Sequence, residues 1–139
     1  KSFELPIFID IELQSPSNRR GITDAVKIIG DKFEKDGYYF GVYGSEVLGF
    51  QDLMIYDEVK RFGLWVASYS NEPPTIPCIM WQYSSKGVLP GCKGYIDKNK
   101  VLVDVSNAIV RQGLNNVKKS ETSKVIEVKS GETITIKGV

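Results

Sequence analysis

The sequence predicts an α/β protein: a sheet whose first strands are linked by helices and whose later strands are joined by loops. Three observations predict it. The segment Leu5–Glu12 is strongly apolar and rich in β-branched residues, as a core strand is. Strand and helix periodicities then alternate as far as Tyr69. Beyond Tyr69 the connections are Pro-rich or too short for a helix.

The first strand sets the frame. Pro6 is tolerable only near its start, and the apolar run implies cover on both faces. Side chains alternate along a strand, so Ile7, Ile9 and Ile11 share one face while Phe8, Asp10 and Glu12 share the other. Strand rise places the two carboxylates about 7 Å apart at their Cβ atoms. Like charges that close push at least one pKa upward. Acid catalysis of glycosidic cleavage needs that arrangement, one carboxyl protonated and the other ionised. The same D-x-E pair could equally cap a loop or meet Lys and Arg in solvent.

A turn-rich passage, Gln14–Gly21, follows. Ile22, Ala25, Val26, Ile29 and Phe33 then recur at helical spacing, with Lys27, Asp31, Lys32 and Lys35 outward and Gly37 as the stop. Tyr38–Ser45 reads as the second strand, a mixed helical stretch spans Val47–Arg61 and ends at Gly63, and Leu64–Tyr69 reads as the third strand. The Pro-rich loop Asn71–Pro77 leads to a fourth strand, Ile79–Tyr83, and the loop Ser84–Gly91 to a short fifth, Tyr95–Asp97. Asn107–Leu114 suits a terminal helix. Residues 1–114 form one domain, 115–124 a polar linker, and 125–139 a tail whose Val125–Lys129 and Thr133–Lys137 flank a Ser-Gly turn, a candidate β-hairpin.

At 139 residues, with 42% hydrophobic and 25% charged residues, the chain suits a globular domain. A net charge of +1 without a basic cluster points away from nucleic acid, and no apolar run is long enough for a membrane span. The chain opens close to a core strand, as a fragment or processed product would. It contains no histidine, which removes Ser-His-Asp and Cys-His catalysis and nearly every common zinc site. No cofactor or metal is expected. Cys78 and Cys92 match no metal motif, and both a disulfide and two free thiols remain open.

The strand ends carry the chemistry: Asp10 and Glu12 on the first, Tyr43 on the second, Trp65 and Tyr69 on the third, Trp81 and Gln82 on the fourth, Asp97 on the fifth. In parallel α/β barrels the site lies at the C-terminal ends of the strands. Aromatics around carboxylates suit a sugar, whose C–H faces stack on rings while its hydroxyls seek polar partners.

These motifs, in order, resemble the glycoside hydrolase family 25 lysozymes, the N-acetylmuramidases of bacterial autolysins and phage endolysins. The matching stretches are Pro6–Glu12, Gly41–Ser45, Leu64–Tyr69, Met80–Gly87 and Gly94–Asn99. The resemblance implies the later strands of a flattened, TIM-like β/α barrel that cleaves the β-1,4 bond between N-acetylmuramic acid and N-acetylglucosamine. It implies Glu12 as general acid, Asp10 orienting the substrate's N-acetyl group for attack, and Asp97 as the acid of the last strand. Tyr43, Trp65, Tyr69, Trp81 and Gln82 would line the groove. The implied partner is the peptidoglycan glycan strand, and the implied place of action is extracellular or in the cell wall. The family pattern starts with a strand of the type Gly-Ile-Asp-Val-Ser and two further strands before the D-x-E strand. The chain therefore corresponds to the second part of such a barrel, and alone it is expected to turn over peptidoglycan weakly and to self-associate through strand edges or the tail hairpin. Two alternatives are a chitinase-like barrel hydrolase, against which the Trp81–Ser85 and Tyr95–Asn99 motifs argue, and a non-catalytic peptidoglycan-binding fragment.

Overall fold

The computed structural model describes residues 1–118; the candidate hairpin at 125–139 and most of the linker lie outside the described residues. The elements follow the order β1 (Ile7–Asp10), α1 (Arg19–Lys35), β2 (Phe40–Ser45), a π-helical segment (Glu46–Leu53), α2 (Tyr56–Val59), β3 (Gly63–Ala67), β4 (Met80–Gly87), β5 (Ile96–Val101) and α3 (Val105–Gln112). The strands lie in sequence order in one sheet. The first three ladders are parallel and the β4–β5 ladder is antiparallel. Among the described residues β1 and β5 are the sheet's edges.

The edge position corrects one expectation. Ile7, Phe8 and Ile9 are only half-buried and Asp10 is exposed, because among the described residues β1 has a neighbour on one side alone. The two helix-linked steps stand, with shifted bounds. Gly63 opens β3 rather than ending the preceding helix, and an extended bend at Met54 splits that helix into the π-helical segment and α2. The fourth strand runs on to Gly87 and the fifth to Val101, since each supplies the other's hydrogen-bond partners across a hairpin.

The core lies between the sheet and α1. It joins Ile22 and Val26 of α1 to Val42, Leu64 and Val66 of the sheet, and to Phe50, Leu53 and Met54. The buried stripe of α1 is rotated from the expected one: Ala25 and Ile29 face outward, while Thr23 and Gly30 face in. Thr23 belongs inside because its hydroxyl donates to the Arg19 carbonyl (2.8 Å) and accepts the Ile55 amide (2.9 Å), clamping the helix to the bend before α2. Gly30 belongs inside because a Cβ there would strike the Phe62 and Phe40 rings. On the outer side, hydrogen bonds from Arg20 and Lys27 hold the Glu58 carboxyl down at about 2 and tie α1 to α2.

The segment after α3 is more than a tether. Asp104 caps α3 and Gly113, at φ 69°, ends it. Asn115 then sits fully buried. Its side chain accepts the Tyr39 amide (2.8 Å) and donates to the Leu5 carbonyl (2.9 Å), while its own amide donates to the Gly37 carbonyl (2.9 Å).

Candidate active site

Alternation on parallel strands builds the site. Register pairs Phe8 with Gly41 and Gly63, and Asp10 with Tyr43 and Trp65, so these residues share the sheet face turned away from α1. Gly41 is required there. A Cβ on it would lie 2.5 Å from the Phe8 ring and 2.6 Å from the Gly63 carbonyl oxygen, so its absence lets Phe8 lie across β2. Phe8 and Tyr43 both meet Trp65 edge-on, with centroids 5.3 Å and 4.9 Å away. The Trp65 indole N–H donates to Asn99 Oδ1 on β5 (2.9 Å).

Polar groups converge above these rings. Gln82 is buried, and its Oε1 accepts both the Tyr43 hydroxyl (3.0 Å) and the Tyr69 hydroxyl (2.8 Å). Two phenols are thereby fixed by one amide. The result is a groove of about 490 Å³ lined by Phe8, Asp10, Glu12, Tyr43, Trp65, Tyr69, Gln82 and Asp97. Asp97 arrives by an unexpected route. It stands near the start of β5, and because β5 is antiparallel, that start reaches the same sheet end as the C-termini of β1–β3.

Burial and the neighbouring Glu12 charge raise the Asp10 carboxyl above its ordinary value. Tyr43 is raised further, by burial and then by its contact with the Glu12 carboxylate, so it keeps its proton and remains a donor. One carboxylate pair, a protonated phenol and aromatic walls can together bind a polyhydroxylated ring and exchange a proton with it.

The structure brings together seven of the eight expected residues and leaves Trp81 out. Trp81 pairs with Val66 on the helix side of the sheet, is 2% exposed, and donates its indole N–H to the Ser68 carbonyl (2.8 Å). Adjacent strand residues cannot both face the groove, and Gln82 takes that side. Phe8 was missed as a groove residue, and the signal was its shared parity with Asp10 and Glu12; Asn99 was missed as the hydrogen-bond partner of Trp65. The two cysteines are free, Cys78 half-buried and Cys92 exposed. Burial and then the Glu46 charge push the Cys78 thiol upward.

The sequence pattern of glycosyl hydrolases family 25 matches residues 1–92. The chain belongs to that family. The match contains every groove residue except Asp97, which follows it on β5. Among solved structures the fold is similar to the CTP1L endolysin, at 22% identity and TM-score 0.61 over 75% of this chain and 37% of that one. It is also similar to the catalytic domain of endolysin ply40 from bacteriophage P40 of Listeria monocytogenes. There the identity is 26% and the TM-score 0.52, over 73% of this chain and 52% of that one. The family 25 chain thus spans between about a third and a half of the length of these structures. No curated protein matches it.

Proposed function

We propose that the protein is a peptidoglycan hydrolase of the muramidase type, cleaving the β-1,4 bond between N-acetylmuramic acid and N-acetylglucosamine. The observation that carries this reading is the gathering of Asp10, Glu12 and Asp97 with Tyr43, Trp65, Tyr69 and Gln82 on one sheet face. Family membership and the similarity to two endolysins support it. The five strands then correspond to the later strands of a β/α barrel.

In this reading Glu12 donates its proton to the departing glycosidic oxygen as the C1–O bond breaks. The substrate's own acetamido oxygen attacks C1, and Asp10 accepts the acetamido N–H to hold that oxygen in line. Water then opens the cyclic intermediate and returns a proton to Glu12. Trp65 and Tyr69 offer ring faces to the sugars, and Gln82 holds the Tyr43 hydroxyl beside Glu12. Asp97 closes the groove from β5. The protein acts at the cell wall, and the β1 and β5 edges, unpaired among the described residues, are the surfaces through which copies associate.

Purified cell walls incubated with the protein test the reading. New reducing ends that convert to muramitol on borohydride reduction are expected. Glu12→Gln, which keeps the shape but not the transferable proton, should lower their release by roughly 10²-fold or more. Undiminished release from the Gln variant would overturn Glu12 as the acid. One observation favours a second reading, a binding module without turnover. Asp10 and Glu12 are both exposed, and water weakens the electrostatics on which the acid depends. Co-pelleting with cell walls without any new reducing ends would select it.

A further inference from the structure

Beside the groove lies a second recess of about 400 Å³, framed by Ser45, Glu46, Val47, Leu48, Ala67 and Ser68. Glu12 and Tyr69 line both spaces and form the partition between them. Its floor is the paired ends of β2 and β3, Ser45 beside Ala67, and its wall is the first turn of the π-helical segment.

The polar groups of this recess are already engaged. The Ser45 hydroxyl accepts the Gly49 amide (3.0 Å), and the Ser68 hydroxyl donates to Glu46 Oε2 (2.9 Å). Glu46 Oε1 accepts both the amide and the hydroxyl of Thr75 (2.6 Å each), which latches the Pro-rich loop onto the wall. Burial acts to raise the Glu46 carboxyl, but the Thr75, Ser68 and Ile76 donors hold it below its ordinary value, so it stays ionised. What remains available to a ligand is apolar: Val47 at 58%, Leu48 at 46% and Tyr69 at 61% exposure. The side chains of Glu12 and of the ionised Glu46 also line it.

We propose that this recess seats the lactyl–alanyl arm of the muramoyl residue, in its amide form. This rests on the muramidase reading, in which Glu12 stands at the bond to be cut. A sugar held in the groove beside Glu12 needs room for any substituent that reaches past the partition. The lactyl methyl and the first alanyl methyl fit against Val47 and Leu48. A free lactyl carboxylate would face the ionised Glu46 and be repelled, whereas peptide attachment turns it into an uncharged amide. The recess therefore selects peptide-bearing over peptide-free glycan.

The test uses a product-like disaccharide, N-acetylglucosaminyl-β-1,4-N-acetylmuramic acid, which lacks the bond that is cut. One form carries the free lactyl carboxylate and the other an L-alanine methylamide on it. Titrated into the protein, the amide form should bind roughly tenfold more tightly, from the added alanyl methyl and one removed charge. The exposed double substitution Val47→Ser/Leu48→Ser should abolish most of that preference while lowering the affinity of the free-acid form, which keeps only the lactyl methyl, much less. Equal binding of the two forms, or a variant that weakens both alike, would overturn the inference and leave the muramidase reading standing. Binding of neither form would overturn both.

Discussion

The two faces of the sheet are built from the same strands one residue out of step. The helix side presents Val42, Leu64, Val66 and Trp81, all buried. The groove side presents Tyr43, Trp65 and Gln82, with Asp10 beside them on β1. Each face holds one indole from a neighbouring strand. Trp81 spends its N–H on a main-chain carbonyl and its ring on burial; Trp65 spends its N–H on Asn99 and leaves its ring at the groove. The difference teaches that residue type does not decide whether an aromatic belongs to core or site. Parity along the strand decides it, because the face covered by α1 must exclude water and the other face keeps unspent polar groups.

The largest effect that could break this comparison is on stability. Trp81→Ala should cost about 3–5 kcal/mol, as large core truncations do. Trp65→Ala should cost only about 1–2 kcal/mol, from its two edge-on ring contacts and the Asn99 hydrogen bond. Urea denaturation of both variants measures the gap, and equal losses would mean that the faces are not distinct. Next comes Glu12→Gln, read for its asymmetry. Turnover falls by roughly 10²-fold while unfolding free energy shifts by less than about 0.5 kcal/mol, as at other exposed positions. A large drop in melting temperature would assign Glu12 to the fold instead.

A smaller effect sharpens the groove face itself. Gly41→Ala forces a methyl into Phe8 and the Gly63 carbonyl, and should cost about 1–3 kcal/mol with displacement of the ring. Tryptophan fluorescence reports the displacement, because Phe8 packs on Trp65; an unchanged spectrum with unchanged stability would refute the crossing of β2 by Phe8. The smallest effect concerns Asp10. Its carboxyl is raised in the folded state, so the folded protein holds that proton more tightly than the unfolded chain does. Wild type therefore loses stability as pH rises from the ordinary carboxylate value through the raised one, and Asp10→Asn does not. The Asn variant should gain on wild type across that window and hold the gain above it. Water screens the exposed carboxyl, so the step is small; a gain in the opposite direction would contradict the raised value.

Much of this was legible in the sequence. The alternation of Ile7–Glu12 placed Phe8, Asp10 and Glu12 on one face, and the motifs at Tyr43, Trp65, Tyr69 and Gln82 supplied the facing residues. Trp81 was assigned to the groove against that same alternation, since its neighbour Gln82 cannot share its face. Other features were not local. The outward turn of Ala25 and Ile29 depends on Phe62 and Phe40 filling the space over Gly30, and the buried place of Thr23 depends on an amide 32 residues away. Asp97 reaches the groove through a strand reversal that its own short apolar context does not announce. Asn115 lies in a polar run that reads as linker, and only its partners at Leu5 and Tyr39 explain its burial.

That asparagine has a consequence for how the chain is made. Its side chain joins residues 110 and 76 positions earlier in the sequence. During synthesis β1, α1 and β2 leave the ribosome well before Asn115, so the Leu5 carbonyl and the Tyr39 amide wait for their partner to emerge. Contacts so distant in sequence come late, after the cost of closing the loop has been met. Asn115 is therefore among the last contacts to form: until it is in place, the Leu5 carbonyl ahead of β1 and the Tyr39 amide ahead of β2 lack their side-chain partner, and the two strand starts stay open to local fraying.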